Sequence, residues 1–157
     1  GQQAREIASL SAEDVAAITA GAGWGLAKPA ELNGYPGPLH VLELADDLDL
    51  SDAQRREIQA IYAAMTAEAQ VAGAAYVEAE AHLSMMFRMG HAAPARLEAM
   101  LAESAAALAK LHAVHLQAHL EVTPLLSDVQ KTQYNQLRGY AEGGHDAHSG
   151  HSGHSNH

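Results

Sequence analysis

From Ser51 to Met89 apolar residues recur every three or four positions, at Ile58, Ile61, Tyr62, Met65, Ala69, Ala72, Tyr76, Leu83 and Met86, and no proline interrupts them. That spacing keeps them on one face of a 3.6-residue turn and predicts a single long helix over 51–89. Gly73 is the one glycine inside it, where a mild kink is expected. Gly90 suits the left-handed stop that follows, and Pro94 suits the first turn of the next helix. A second stripe, Leu97, Leu101, Leu108, Leu111, His115, Ala118 and Val122, predicts a helix over 95–123. Joined by so short a turn, the two helices must run antiparallel as a hairpin. Pro124 disturbs the end of the second, and a last helix is expected over 127–140.

Upstream, Ser11 opens S-A-E-D before Val15, Ala16 and Ile18, which predicts a short helix over 11–20 ended by Gly21 and Gly23. Residues 21–38 hold five glycines and three prolines around Trp24, Leu26, Leu32 and Tyr35, an ordered connector expected to pack these large groups. A short helix is expected from Pro38 to about Ala45. The chain thus divides into a short helix and connector over 1–37, a helical hairpin domain over 38–141, and a histidine-rich tail over 142–157. The fold class is all-α, four-helix, built on a long antiparallel hairpin with shorter flanking helices. The tail is rich in Gly, Ser and His with no apolar pattern, which predicts disorder.

Composition sharpens this picture. Alanine supplies 34 of 157 residues and aromatics only 4%, so burial must come from small-residue seams that let helices approach closely, within one chain or in a homodimer. With 19 acidic and 9 basic residues the net charge is -10, which argues against nucleic acid and anionic membrane surfaces as partners. Val15–Ala27 is uncharged but too short and too glycine-rich to span a bilayer, so no transmembrane segment is expected. No signal peptide is read, which leaves open that the chain starts after a cleaved one. Cysteine is absent, which leaves His, Met and carboxylate as metal ligands. No nucleophile elbow, phosphate loop or HExxH pattern occurs, and an enzyme is not expected.

The first long helix and the last one open alike, with Leu50-Ser51-Asp52-Ala53-Gln54 and Leu126-Ser127-Asp128-Val129-Gln130. Each is a capping box: the serine oxygen accepts from the backbone N–H three residues on, and the glutamine reaches back to the serine N–H. The repeated L-[ST]-x-x-Q element resembles the signature of the Spy/CpxP group of periplasmic proteins, over about residues 38–141. That group includes ATP-independent chaperones, zinc-binding stress proteins and sensors of nickel and cobalt resistance. The resemblance implies a periplasmic location and a hairpin-based four-helix fold that often dimerises into a cradle. Chaperone members are expected to carry a positive concave face, whereas this chain is acidic with scattered Arg55, Arg56, Arg88, Arg96, Lys110, Lys131 and Arg138.

Eleven histidines fall mostly into three groups. In the tail, His145, His148, His151, His154 and His157 recur every third residue, a spacing fit for a native Zn, Ni or Cu(II) tract or for a purification tag. On the second long helix, His112, His115 and His119 share an arc, and an assumed antiparallel register sets His115 opposite Glu68. This looks like the nickel and cobalt sensor arrangement, in which His40 would supply the N-terminal ligand; hydrogen-bonded, half-buried histidines are the plainer alternative. At the hairpin turn, His82, Met85, Met86 and Met89 lie at i, i+3, i+4 and i+7, with His91 and Met100 near. Thioethers with imidazole suit Cu(I), unless the methionines only fill gaps or form an adaptable apolar surface. The expected function is metal buffering, sensing or resistance, with copper favoured over zinc and nickel because one element accounts for both the histidine and methionine clusters. The alternative is a holdase for unfolded, basic clients. A membrane-bound regulator is a further possible partner.

Overall fold

The computed structural model describes residues 5–140, and every regular element among them is helical. The elements are α1 (Ala12–Thr19), α2 (Lys28–Glu31), α3 (Pro38–Glu43), α4 (Asp52–Arg88), α5 (Pro94–Val122), a 3-10 turn (Thr123–Leu125) and α6 (Asp128–Arg138). The long antiparallel hairpin of α4 and α5 with shorter flanking helices is the predicted architecture. Two elements were not anticipated: α2, a single turn inside the glycine- and proline-rich connector, and the 3-10 turn around Pro124. The predicted tail, with its five histidines, lies outside the described residues.

The chain forms two compact units, each containing part of both long helices. Among the described residues, the first joins residues 5–27 with residues 63–117, and the second joins residues 28–62 with residues 118–140.

In the first unit, Ile7, Leu10 and Ile18 bury against Ala69, Ala72 and Tyr76 of α4 and Leu111 of α5. The small residues of the α4 stripe let this layer sit close. Gly73 is where closeness is greatest: a Cβ there would stand 2.5 Å from the Ile18 carbonyl oxygen and 2.8 Å from Ile18 Cγ2. The glycine that the sequence marks as a weak point in the helix is therefore a contact, and α4 is continuous through it. Trp24 and Leu26 pack on this core as expected, whereas Leu32 and Tyr35 of the connector are exposed. Trp24 holds a positive φ of 50°, with its indole Nε1 donating to Asp14 Oδ1 at 3.1 Å. Buried Glu80 draws the layers together, accepting from Ser9 Oγ at 2.5 Å and from the Ser104 hydroxyl of α5.

In the second unit, Val41, Ala45, Leu48, Leu50, Ile58, Val122, Leu126 and Tyr134 form the core. Both capping boxes are present: Ser51 N–H and Ser127 N–H each donate to their glutamine Oε1 at 2.9 Å. The same two glutamines also grip each other. Gln54 Nε2 donates to Gln130 Oε1 at 2.8 Å, and Gln130 Nε2 donates to Gln54 Oε1 at 3.0 Å. Each has a donor left for a carbonyl, Leu125 for Gln54 at 2.8 Å and Leu48 for Gln130 at 3.2 Å. The motif thus fixes two helix starts and joins them.

Candidate functional site

The hairpin turn is built by the end of α4. Gly90 takes a left-handed φ of 72°, His91 N–H donates to the Met86 carbonyl at 2.9 Å, and Gly90 N–H donates to the Phe87 carbonyl at 3.1 Å. That pair of bonds is the Schellman stop, and it sends the chain back so that His91 lies over the last turn of α4. Pro94 then starts α5 without forfeiting a helical donor. Arg96 Nη1 donates to the His91 carbonyl at 2.6 Å and holds the turn to the first residues of α5.

A pocket of about 310 Å³ opens here, lined by His82, Met85, Met86, Met89, His91, Arg96 and Met100. Four of the chain's five methionines are in that lining. Their positions differ in kind. Met86 is 4% exposed and belongs to the core stripe, whereas Met85 and Met89 are 49% and 58% exposed. His82 is half exposed, with Nε2 at 3.7 Å from Glu78 Oε1 and Nδ1 at 3.9 Å from Glu103 Oε1. The two carboxylates bring negative charge beside the thioether and imidazole groups. Thioether sulfur with imidazole nitrogen is a soft set that fits a monovalent copper ion.

The other residues singled out from the sequence do not gather in this way. Glu68 is exposed in a groove with Val71, Lys110, Ala113, Val114 and Gln117, while His115 is only 2% exposed. Glu80 and Ser104 meet across the hairpin, which is close to the assumed register, but residue 68 precedes stripe residue Ala69 and is turned about 100° away from it. His112 is half-buried. His40 is engaged by Glu43 at 2.7 Å, one turn along α3. Among the described residues, no group of three or more His, Asp or Glu side chains forms a site able to hold a metal ion.

His119 belongs to a cluster that sequence reasoning missed. In the second unit its Nδ1 stands 2.6 Å from the Tyr35 carbonyl and 3.7 Å from Glu31 Oε2. Glu31 is buried and accepts from the Tyr134 hydroxyl and, at 3.2 Å, from the Tyr140 hydroxyl, with Arg138 Nε at 3.5 Å. Burial, followed by the hydrogen bond to Glu31, pushes the Tyr134 phenol well above its ordinary range. A Cβ at Gly37 would stand 2.4 Å from His119 Nε2 and 2.5 Å from its Cε1, so the glycine between Pro36 and Pro38 lets the backbone pack directly against the imidazole. These contacts fasten the connector to α5 and α6. The only signal in the sequence is the Pro-Gly-Pro run, which announces a turn and not its partner.

A family model described as LTXXQ motif family protein matches residues 39–138. No curated protein and no solved structure matches the chain. No helix among the described residues is long and apolar enough to cross a membrane.

Proposed function

The chain belongs to the LTXXQ motif family, and from that premise we propose that it is a periplasmic transition-metal-binding protein whose folded site is the methionine and histidine pocket at the hairpin turn, with Cu(I) as its ion. The observation that supports this reading is the gathering of four of five methionines around two histidines in one pocket. Packing alone accounts for Met86, but solvent-facing Met85 and Met89 contribute little to the core. The role is binding and not catalysis: buffering, sensing or resistance in the heavy-metal branch of the family. The tail histidines, His145 to His157, are a second, harder donor set for Cu(II), Zn or Ni.

The test is an anaerobic titration of Cu(I) against a chromogenic chelator. The full chain competes for the ion, a variant with the five tail histidines changed to asparagine competes equally, and Met85→Leu/Met89→Leu loses most of the competition. Equal competition by the leucine variant overturns the assignment. A holdase role is the second reading, favoured by the exposure of Met85, Phe87 and Met89 along the end of α4. Suppression of client aggregation that is the same with metal and with chelator selects it. Homodimer formation, which either reading accommodates, is checked by sedimentation.

A further inference from the structure

We propose that Met85 and Met89 are a peroxide-sensitive modification site whose oxidation switches off Cu(I) binding at the hairpin turn; this rests on the copper reading of the same pocket. Met85 and Met89 are the exposed thioethers of the lining, at 49% and 58%, whereas Met100 is half-buried and Met86 and Met65 are 4% and 8% exposed. Oxidation of methionine follows access of the oxidant to sulfur, so the pocket divides into a reactive pair, a half-buried Met100 and a protected Met86. Met85 lies in the last turn of α4 and Met89 directly after its end, four residues on, with Met89 N–H donating to the Met85 carbonyl at 2.9 Å, so the two side chains share one face.

The oxidant is a peroxide. The sulfur lone pair attacks one peroxide oxygen, the S–O bond forms as the O–O bond breaks, and the second oxygen leaves as water, or as an alcohol from an alkyl peroxide. Sulfur is oxidised by two electrons and the peroxide is reduced by two. The product replaces a soft sulfur donor with a polar sulfoxide whose oxygen is a hard donor, poorly matched to Cu(I). Two of the pocket's exposed ligands are lost together, while Met86 stays reduced and keeps its place in the core. Reduction by a methionine sulfoxide reductase with a dithiol restores the original donors.

The experiment treats the full chain, metal-free and Cu(I)-loaded, with graded hydrogen peroxide, then maps added oxygen by mass spectrometry and titrates Cu(I) after the peroxide is removed. In the metal-free chain Met85 and Met89 gain oxygen several-fold faster than Met65 and Met86, Cu(I) competition falls in step with their oxidation, and reductase treatment returns it. Bound Cu(I) slows oxidation at both positions. Met85→Gln/Met89→Gln, polar at the same places, behaves as the oxidised chain before any treatment. Equal oxidation of all five methionines, or Cu(I) binding that survives full oxidation of Met85 and Met89, overturns the switch while leaving the copper site standing. Absence of Cu(I) binding before peroxide overturns both.

Discussion

Replacing Gln54 by alanine removes four hydrogen bonds: from Ser51 N–H, to the Leu125 carbonyl, and two exchanged with Gln130. At a net of about 1 kcal/mol each, less for the bond at exposed Ser51 that water replaces, the loss is about 3 kcal/mol. Gln130→Ala removes the matching set, with Leu48 in place of Leu125, and costs about the same. The two exchanged bonds are common to both sets. The double variant therefore falls short of the summed single losses by about 2 kcal/mol, a coupling that a double-mutant cycle isolates. Thermal unfolding followed by circular dichroism measures it, with each single variant lowering Tm by roughly 6–12 °C in a chain of this size. Losses that add within error would mean that each glutamine serves only its own helix start, and the reasoning would be refuted.

Gly73→Ala tests the contact with Ile18: an alanine in an open helix gains about 1 kcal/mol, but a Cβ 2.5 Å from a backbone oxygen costs about 1–3 kcal/mol, so Tm falls; a rise refutes the close approach. Gly37→Ala sets a methyl group against the His119 ring and lowers Tm, and because His119→Ala removes that clash the double variant loses less than the sum of the two single losses; additive effects refute the close packing. Asp14 is held below its ordinary value by the Ser11 backbone N–H, then the Trp24 indole and the Ser11 hydroxyl. Its stabilisation is complete above the unfolded value near 3.8 and is lost as pH falls through the lower folded one, so Asp14→Asn flattens the acid limb of unfolding followed by Trp24 fluorescence.

The hairpin was legible because its signals are local. Periodicity marks a helix wherever a stripe is buried, and glycine and proline mark the turn without reference to anything distant. The capping boxes were legible for the same reason, as serine and glutamine three residues apart. What each glutamine does with its remaining donor was not, since Gln54 and Gln130 meet only through the fold. Glu68 shows the limit from the other side: the register was nearly right, yet a one-residue step around the helix turns a carboxylate from the seam to solvent. The methionine pocket was visible because His82, Met85, Met86 and Met89 lie within about two turns of chain, with His91 from the adjoining turn and only Arg96 and Met100 brought from the next helix. Glu31, Tyr134 and His119 come from three separate elements and carry no pattern that links them.

The clasp between Gln54 and Gln130 has an evolutionary consequence. Because each amide fills what the other leaves open, the two positions form one inherited unit, and a lineage that changes one is expected to change its mate. The clasp constrains where the first long helix and the last helix begin and says nothing of how many turns lie between. Descendants can therefore lengthen or shorten the hairpin by adding or deleting turns in both long helices together, and so carry a different turn chemistry on the same pair of glutamines.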